Sequence, residues 1–524
     1  NLKFSTIINC DKPKRNDTML VKRIILAILS LLFVVKQNDT ARILAVLPTP
    51  SISHQVVFRP LTQELARRGH QLVIITADPA FSDGDTPDNI TEIDIHDKSY
   101  EVWRKTVVNN VNGKTSSVYK TIDKTQLLDD AVQKLIKSDD KFDLLLIEAC
   151  MWPMLAFSYK FKAPVILISS FGAIYNNYDI IGAPYHPILY PDVVSQKIYN
   201  LSILDKIKLV YNDVVFKYVM RKLENKENEI LKRAFGPDVP KLNKLYDNVE
   251  MLFLNVHQIW EGNRPVPPGV IHMGGLHIKP QKELPKELKD FMDASIHGVI
   301  YMSFGTNVHP SLLPPEKIAI FMKVFSKLSQ DVILKWDKDE IQGRPKNVKL
   351  HKWLPQADLL RHPKVKLFIT QAGLQSTDEA LIAGVPLLAF PILGDQWYNA
   401  DKYEHFKIGI NMNLNTVTET TLEDAIASIL DDESVGSLMY DQPQSALERA
   451  VWWTEHVLRH GGARHLRAPA ANMGWWQYLE MELVAVIAVA FILTSVTTVW
   501  VVNNVITKIC IYSDVGKTKI KKFD

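Results

Sequence analysis

The sequence predicts an α/β protein with two halves of similar size, each built on a parallel sheet, and a membrane-spanning helix near its C-terminal end. Three observations carry this expectation. Short apolar runs recur through the chain: Arg42–Leu47 (RILAVL), Gln71–Thr76 and Phe142–Ile147 early, then Val299–Ser303, Val332–Trp336 and Leu367–Ile369 later. They are apolar at successive rather than alternate positions, as strands buried on both faces of a parallel sheet are. Gly262–Gly269 (GNRPVPPG), stiffened by its prolines, divides these runs into two sets. Finally, Leu483–Val502 is apolar for about one bilayer thickness as a helix.

At 524 residues the chain exceeds one ordinary core, so two domains with appendages are expected. Its 47% hydrophobic and 23% charged residues are globular composition and speak against disorder. A net charge of +3 gives no nucleic-acid footprint. The three cysteines, Cys10, Cys150 and Cys510, fall in regions that would not meet. Neither a disulfide framework nor a zinc site is built from them.

The residues before Met19 are polar and without apolar period, which makes Met19 the expected start. Lys22-Arg23 then precede the apolar run Ile24–Val35, so residues 19–40 read as a secretory signal, cleaved near Asp39 to Ala41. The first strand, the helix Val56–Arg68 and the next strand form a βαβ opening with a right-handed crossover. His54 falls in the loop-to-helix turn, where parallel sheets place functional residues. Asp83-Gly84-Asp85 lies among turn formers and reads as a solvated turn, not a metal motif. The strand Phe142–Ile147 ends at Glu148, with a helix Pro153–Phe161 and a strand Pro164–Ser169 after it. Tyr211–Leu231 is a long charged helix, solvated on one face. A strand Leu252–Val256 precedes the linker.

The second half restarts with Val299–Ser303 and Phe304-Gly305-Thr306, whose glycine lets backbone approach a ligand. A helix Pro315–Leu328 and strands Val332–Trp336 and Val348–His351 lead to Trp353-Leu354-Pro355-Gln356. The stretch Lys366–Tyr403 (KLFITQAGLQSTDEALIAGVPLLAFPILGDQWYNADKY) then organises the rest. Its apolar strand runs into a turn at Gly373, a helix carrying Gln375, Ser376 and Thr377 through Ala383, a stop at Gly384, and a second strand Val385–Phe390. Strand, glycine turn and helix N-terminus make an anion site. Glu379 shares a helix face with Ser376, and Gly394-Asp395-Gln396 opens at the same sheet edge. A phosphate cradle, a carboxylate and an Asp-Gln pair suit a nucleotide-sugar.

This ordered stretch resembles the signature of the UDP-glycosyltransferases, in the arthropod-like form with Gln-Ser-Thr after the glycine. The likeness extends from Ala41 to the C-terminus and implies a GT-B fold: two Rossmann-like domains facing a cleft. It implies an acceptor domain over 41–262, a linker over 263–285, a UDP-sugar domain over 286–446, and tail helices over 447–480 packing back on the first domain. By the same resemblance, His54 is the catalytic base and Glu148, where many members have Asp, orients it. Trp353 stacks on uracil with Gln356 nearby, Gln371, Gly373 and Ser376 contact the phosphates, Glu379 the ribose, and Asp395 and Gln396 the sugar. Ser303 and Gly305 would help hold the leaving UDP. Many members have His in place of Gln371 and a second Gly in place of Ala372; a neutral amide brings hydrogen bonds but no positive charge.

The implied reaction is inverting transfer from a UDP-sugar, glucose favoured and glucuronic acid possible, to a small lipophilic acceptor, with no metal and no cofactor. A non-catalytic UDP-sugar or lipophile-binding membrane protein is the alternative, and a soluble-type UDP-sugar epimerase a further one. Lysines after the apolar run (Lys508, Lys517, Lys519, Lys521, Lys522) place residues 503–524 in the cytoplasm, and the final Lys521-Lys522-Phe523-Asp524 fits dilysine retrieval. That gives a single-pass type I protein of the endoplasmic reticulum with luminal domains, a homo-oligomer being compatible with it. Asn89 and Asn200 stand in glycosylation sequons.

Overall fold

A computed structural model describes residues 40–82, 84–111, 125–306, 310–430 and 443–520. The signal segment up to residue 39, Asp83 and the retrieval tail lie outside these. Two wholly parallel sheets dominate. The first has seven strands, β1 (Arg42–Leu47), β2 (Gln71–Thr76), β3 (Ile90–Asp94), β4 (Leu144–Glu148), β5 (Val165–Ser169), β6 (Val249–Leu254) and β7 (Val270–His272). The second has six, β8 (Val299–Ser303), β9 (Asp331–Lys335), β10 (Val348–His351), β11 (Val365–Thr370), β12 (Leu387–Ala389) and β13 (Gly409–Asn411). Their orders are β3-β2-β1-β4-β5-β6-β7 and β10-β9-β8-β11-β12-β13. In each, the order reverses between the sheet's first strand and its fourth, where doubly wound sheets bind ligands.

Six helices matter below: α1 (Ile52–Arg67), α2 (Ile203–Phe235), α3 (Leu374–Ala383), α4 (Gln396–His405), α5 (Ala446–His460) and α6 (Met481–Ile520). One core layer lies where α1 and α5 cover the first sheet: Val57, Phe58 and Leu61 meet Ala450, Val451 and Val457. The chain thus returns to its first domain after finishing the second. Another layer lies outside the second sheet, around Phe321, Phe325 and Phe390. A third is continuous through both halves and includes Trp260 and Tyr403.

Several expected boundaries move. α1 starts at Ile52, four residues before the apolar period begins, because buried Gln55 binds the preceding loop. Its Nε2 donates to Leu47 O at 2.8 Å and Thr49 O at 3.2 Å, while Thr76 Oγ1 donates to its Oε1. His54 is therefore in the first helical turn. The linker is shorter than 263–285, since Val270–His272 pairs with β6 as the first sheet's last strand. The edge strands β3 and β13, missed in the sequence, are short or mixed in polarity. α2 spans 33 residues, and its outward face is apolar rather than charged over its first half. Asn89 uses its amide Nδ2 to donate to Ala66 O at 2.7 Å and His70 O at 2.9 Å. A glycan on that nitrogen would remove one of those bonds, whereas Asn200 is exposed. Residues Met481–Lys508 form a helix long and apolar enough to cross a bilayer.

Candidate active site

At the first sheet's reversal point, β1 and β4 deliver His54 and Glu148 to one place. His54 Nδ1 lies 2.6 Å from Glu148 Oε1, and Thr49 N donates to Glu148 Oε2 at 3.1 Å. Both carboxylate oxygens are thus engaged on a side chain that is only 1% exposed. Glutamate, one methylene longer than the Asp of many members, still reaches His54, and the Pro48–Ser51 loop sets Thr49 N on its second oxygen. Cys150 Sγ sits 3.6 Å from Thr49 Oγ1 beneath the pair. The imidazole meets the Phe171 ring edge-on, with centroids 5.7 Å apart. With Nδ1 committed to Glu148, Nε2 is the nitrogen His54 presents to the cleft.

At the second sheet's reversal point, β8 and β11 lie side by side with Ser303 paired to Thr370. Gly305 has φ +74°, and a Cβ there would meet Gln371 Nε2. The positive φ favours glycine there, and the Gln371 amide end lies over it. Gln371 is nearly buried and its Oε1 has no hydrogen-bond partner among the described residues. Ala372 is wholly buried with φ +67°, a left-handed conformation that an L side chain adopts at a cost. Gly373 caps α3 without a side-chain hydrogen bond, so the helix's first free N–H groups point at the cleft.

Around that cradle the polar side chains are tied to one another. Gln356 Nε2 donates to Ser376 Oγ at 2.9 Å and Glu379 Oε2 at 2.7 Å, and Tyr301 Oη donates to Gln356 Oε1 at 3.0 Å. Burial holds the Glu379 carboxyl up at about 7, against Gln356 pulling it down. Gln396 Oε1 accepts from Ile392 N and Leu393 N, both at 2.8 Å, shaping the loop before α4. Asp395, whose carboxyl burial also raises, accepts from Asn399 Nδ2 at 2.8 Å. Trp353 is 68% exposed, with Lys335 Nζ 4.7 Å from its ring centre.

One cavity of about 910 Å³ gathers every predicted site residue except Ser303 and Glu148, which sit just behind its wall. That volume is at the upper end of ligand pockets, roughly 300–1,000 Å³. Trp152, Phe171, Phe216, Met220 and Leu223 make its apolar side.

Sequence reasoning missed Thr49, Tyr301, Lys335 and Asn399. Asn399 is the most connected: Trp260 Nε1 donates to its Oδ1 at 2.9 Å, and its Nδ2 also donates to Ala372 O at 3.0 Å. One amide thereby ties the first domain, the left-handed turn and Asp395 together. Its place four residues after Asp395, on the same helix face, was the available signal. Lys335 donates to Gly305 O at 2.9 Å and brings to the cleft a cation that Gln371 lacks, burial lowering its affinity for the proton.

Two doubly wound domains, a carboxylate-backed imidazole on one and an uncapped helix N-terminus on the other, define a GT-B glycosyltransferase. Residues 42–521 match the family model described as UDP-glucoronosyl and UDP-glucosyl transferase, so the chain belongs to the UDP-glycosyltransferases. Over 488 residues it is 34% identical to an ecdysteroid UDP-glucosyltransferase of Spodoptera littoralis nuclear polyhedrosis virus, covering 86% of this chain and 95% of that one. A UDP-glycosyltransferase of the insect Dactylopius coccus, UGT5, is 32% identical over 485 residues, covering 87% and 90%. Among solved structures, an anthocyanidin 3-O-glucosyltransferase in complex with UDP aligns with TM-score 0.55 at 15% identity, covering 81% of this chain and 100% of that one, a likeness of fold.

Proposed function

We propose that the chain is a membrane-anchored inverting glucosyltransferase acting on small lipophilic hydroxylated acceptors of steroid or phenol size. The observation that carries this is the shared cavity, with His54 on one wall and the α3 N-terminus, Glu379 and Asp395 on the other. In this reading His54 Nε2 takes the acceptor hydroxyl proton while Glu148 holds Nδ1–H and balances the imidazolium charge. The acceptor oxygen attacks the anomeric carbon opposite the departing UDP. Charge on the leaving diphosphate falls to the N–H groups of Gly373–Ser376, the Ser303–Gly305 turn and Lys335. Trp353 offers a face for uracil, Glu379 accepts from the ribose hydroxyls, and Asp395 with the Gln396 amide binds the sugar.

Nothing in this sequence of steps calls for a metal or a cofactor. His54, Glu148 and Cys150 do bring potential ligand atoms within 4.8 Å of one another, but the first two are spent on each other. Glucose is supported by the names of the viral relatives, and the ecdysteroid in those names supports a steroid among the acceptors. The luminal, type I placement in the endoplasmic reticulum rests on the apolar helix and the lysines after it. The test is transfer by microsomes carrying the full chain, with UDP-glucose and UDP-glucuronate against a panel of phenols and hydroxysteroids. Glucoside formation with at least one acceptor is expected; UDP-sugar binding with no product on any acceptor would favour the non-catalytic alternative.

A further inference from the structure

A second cavity, of about 330 Å³, lies at the junction of the two domains and shares no lining residue with the cleft. The first domain contributes residues between 189 and 199 and between 259 and 264, and α4 with Phe406 supplies the other side. Its walls are flat and largely apolar. Tyr199 stacks on His405 with ring centroids 3.8 Å apart and planes 5° from parallel, and Ile198, Ile259 and Phe406 also line the space. Asp401 holds the two sides together by accepting from Ile198 N at 2.8 Å and Tyr199 N at 3.0 Å.

Against these walls the fold sets a buried cation. Lys402 is 1% exposed, yet its ammonium makes no hydrogen bond and no ion pair among the described residues. It lies 4.0 Å from the Tyr398 ring centre and 5.3 Å from that of Trp260. Ring faces offset only part of the cost of taking an ammonium out of water. Burial accordingly lowers its pKa to about 7, with Glu261 the main group pulling it up. Arg264 is a second buried cation: one of its nitrogens donates to Tyr190 O at 2.6 Å, while Nε has no partner among the described residues. The one acid in the lining is Glu261, whose Oε2 accepts from Tyr178 Oη at 2.7 Å. With Lys402 protonated and His405 neutral, the lining thus carries one positive charge in excess. A residue needed only for packing at this junction could be methionine, which lies on rings without the desolvation cost. The space suits a single negative charge on a flat apolar body. Its volume is at the lower end of ligand pockets, roughly 300–1,000 Å³, and admits one substituted ring. Inorganic phosphate would meet Lys402 but leave the aromatic walls uncovered.

We propose that this junction cavity is a second small-molecule site, taking an aryl carboxylate whose charge pairs with Lys402 and whose ring lies among the aromatic walls. Such a ligand bridges the first domain and α4, the helix that Asp395 and Gln396 open, so it favours the arrangement that holds the donor, and the coupling is reciprocal. That coupling rests on the donor reading above; the binding itself does not. The test is calorimetry on the full chain in detergent, with UDP and a phenol acceptor both saturating so that the cleft is filled. Benzoate is titrated, with benzyl alcohol as the uncharged comparison and inorganic phosphate as the ringless one. Benzoate should bind at one site, about 10-fold or more tighter than either comparison. Lys402→Met should weaken it by about 10-fold or more, and Lys402→Arg should recover part of the loss. Ile198→Trp, which fills the cavity with Lys402 in place, should abolish binding, and this variant decides the matter should Lys402→Met melt early. No benzoate binding, binding that the phenol displaces, or equal affinity in a normally melting Lys402→Met overturns the proposal. A preference for phosphate overturns the ligand class. KM for UDP-glucose should fall when benzoate is present, and should not respond to it in Lys402→Met. Benzoate binding without that fall keeps the site and removes the coupling.

Discussion

The two sheets place their functional residues at the same topological point, yet they absorb departures from the family pattern in different ways. On the first sheet a longer acid, Glu148, still reaches His54, because the β1–α1 loop supplies Thr49 N to its second oxygen. No residue of that loop takes a left-handed backbone. On the second sheet the turn after β11 demands positive φ, and Ala372 meets that demand with a buried Cβ. A side chain one methylene longer can be accommodated by a loop; a backbone angle cannot be traded away. The first departure should therefore be silent in stability, and the second should carry a cost that one substitution relieves.

The largest effect expected concerns the first sheet. Glu148→Gln keeps the shape while removing the charge that supports the imidazolium, and kcat should fall about 10²–10⁴-fold with UDP-glucose affinity unchanged. A loss within threefold, the sort of change a surface carboxylate would give, breaks the comparison on that side. Next comes Asn399→Ala, which leaves buried Trp260 Nε1 and Ala372 O without a partner. Urea unfolding should register a loss of about 1–3 kcal/mol, and KM for UDP-glucose should rise as Asp395 and the turn loosen. A rise in KM with no loss of stability would place Asn399 on the sugar rather than behind it.

A smaller effect is a pH dependence confined to the donor side. The Glu379 carboxyl, held at about 7, is largely protonated below that pH and ionised above it. If ribose hydroxyls donate to it, UDP-glucose affinity should increase by up to about 10-fold from pH 6 to 8. The folding contribution has the opposite sign. The native state keeps a proton that the unfolded chain releases above about 4.5, so this group's contribution to stability falls as pH rises from there through 7. A titration of Kd that is equally steep in Glu379→Gln would assign the dependence elsewhere. The smallest effect is a gain: Ala372→Gly should stabilise the protein by about 1 kcal/mol by relieving the left-handed alanine. An unchanged or lower stability would mean that the turn is held without strain.

Much of this arrangement was legible before any coordinates. Strands such as RILAVL and VIYMS are apolar at successive positions, polar only at Arg42 and Ser303 at their ends, which is the mark of a parallel sheet covered on both sides. The donor residues were legible because the anion cradle is local: turn, helix start and Glu379 lie within ten residues of one another. What stayed hidden depends on contacts far apart in the chain. Thr49 and Glu148 are separated by 99 positions and Trp260 and Asn399 by 139, so nothing local announces either bond. β7 was hidden inside a proline-rich stretch that reads as linker. The outward face of α2 was misread because charged residues at its edges suggest a solvated surface, while the apolar stripe between them emerges only once the helix is extended to Ile203.

The central claim is a division of labour, with the first sheet doing the chemistry and the second holding the donor. It is tested most directly by measuring kcat and UDP-glucose affinity on one preparation of His54→Ala, the latter through Trp fluorescence at exposed Trp353. The expected result is a fall in kcat of about 10²–10⁴-fold with Kd for UDP-glucose unchanged, since the cradle lies in the other domain. Turnover within a few-fold of the unaltered enzyme, or a joint collapse of turnover and donor binding, would contradict it.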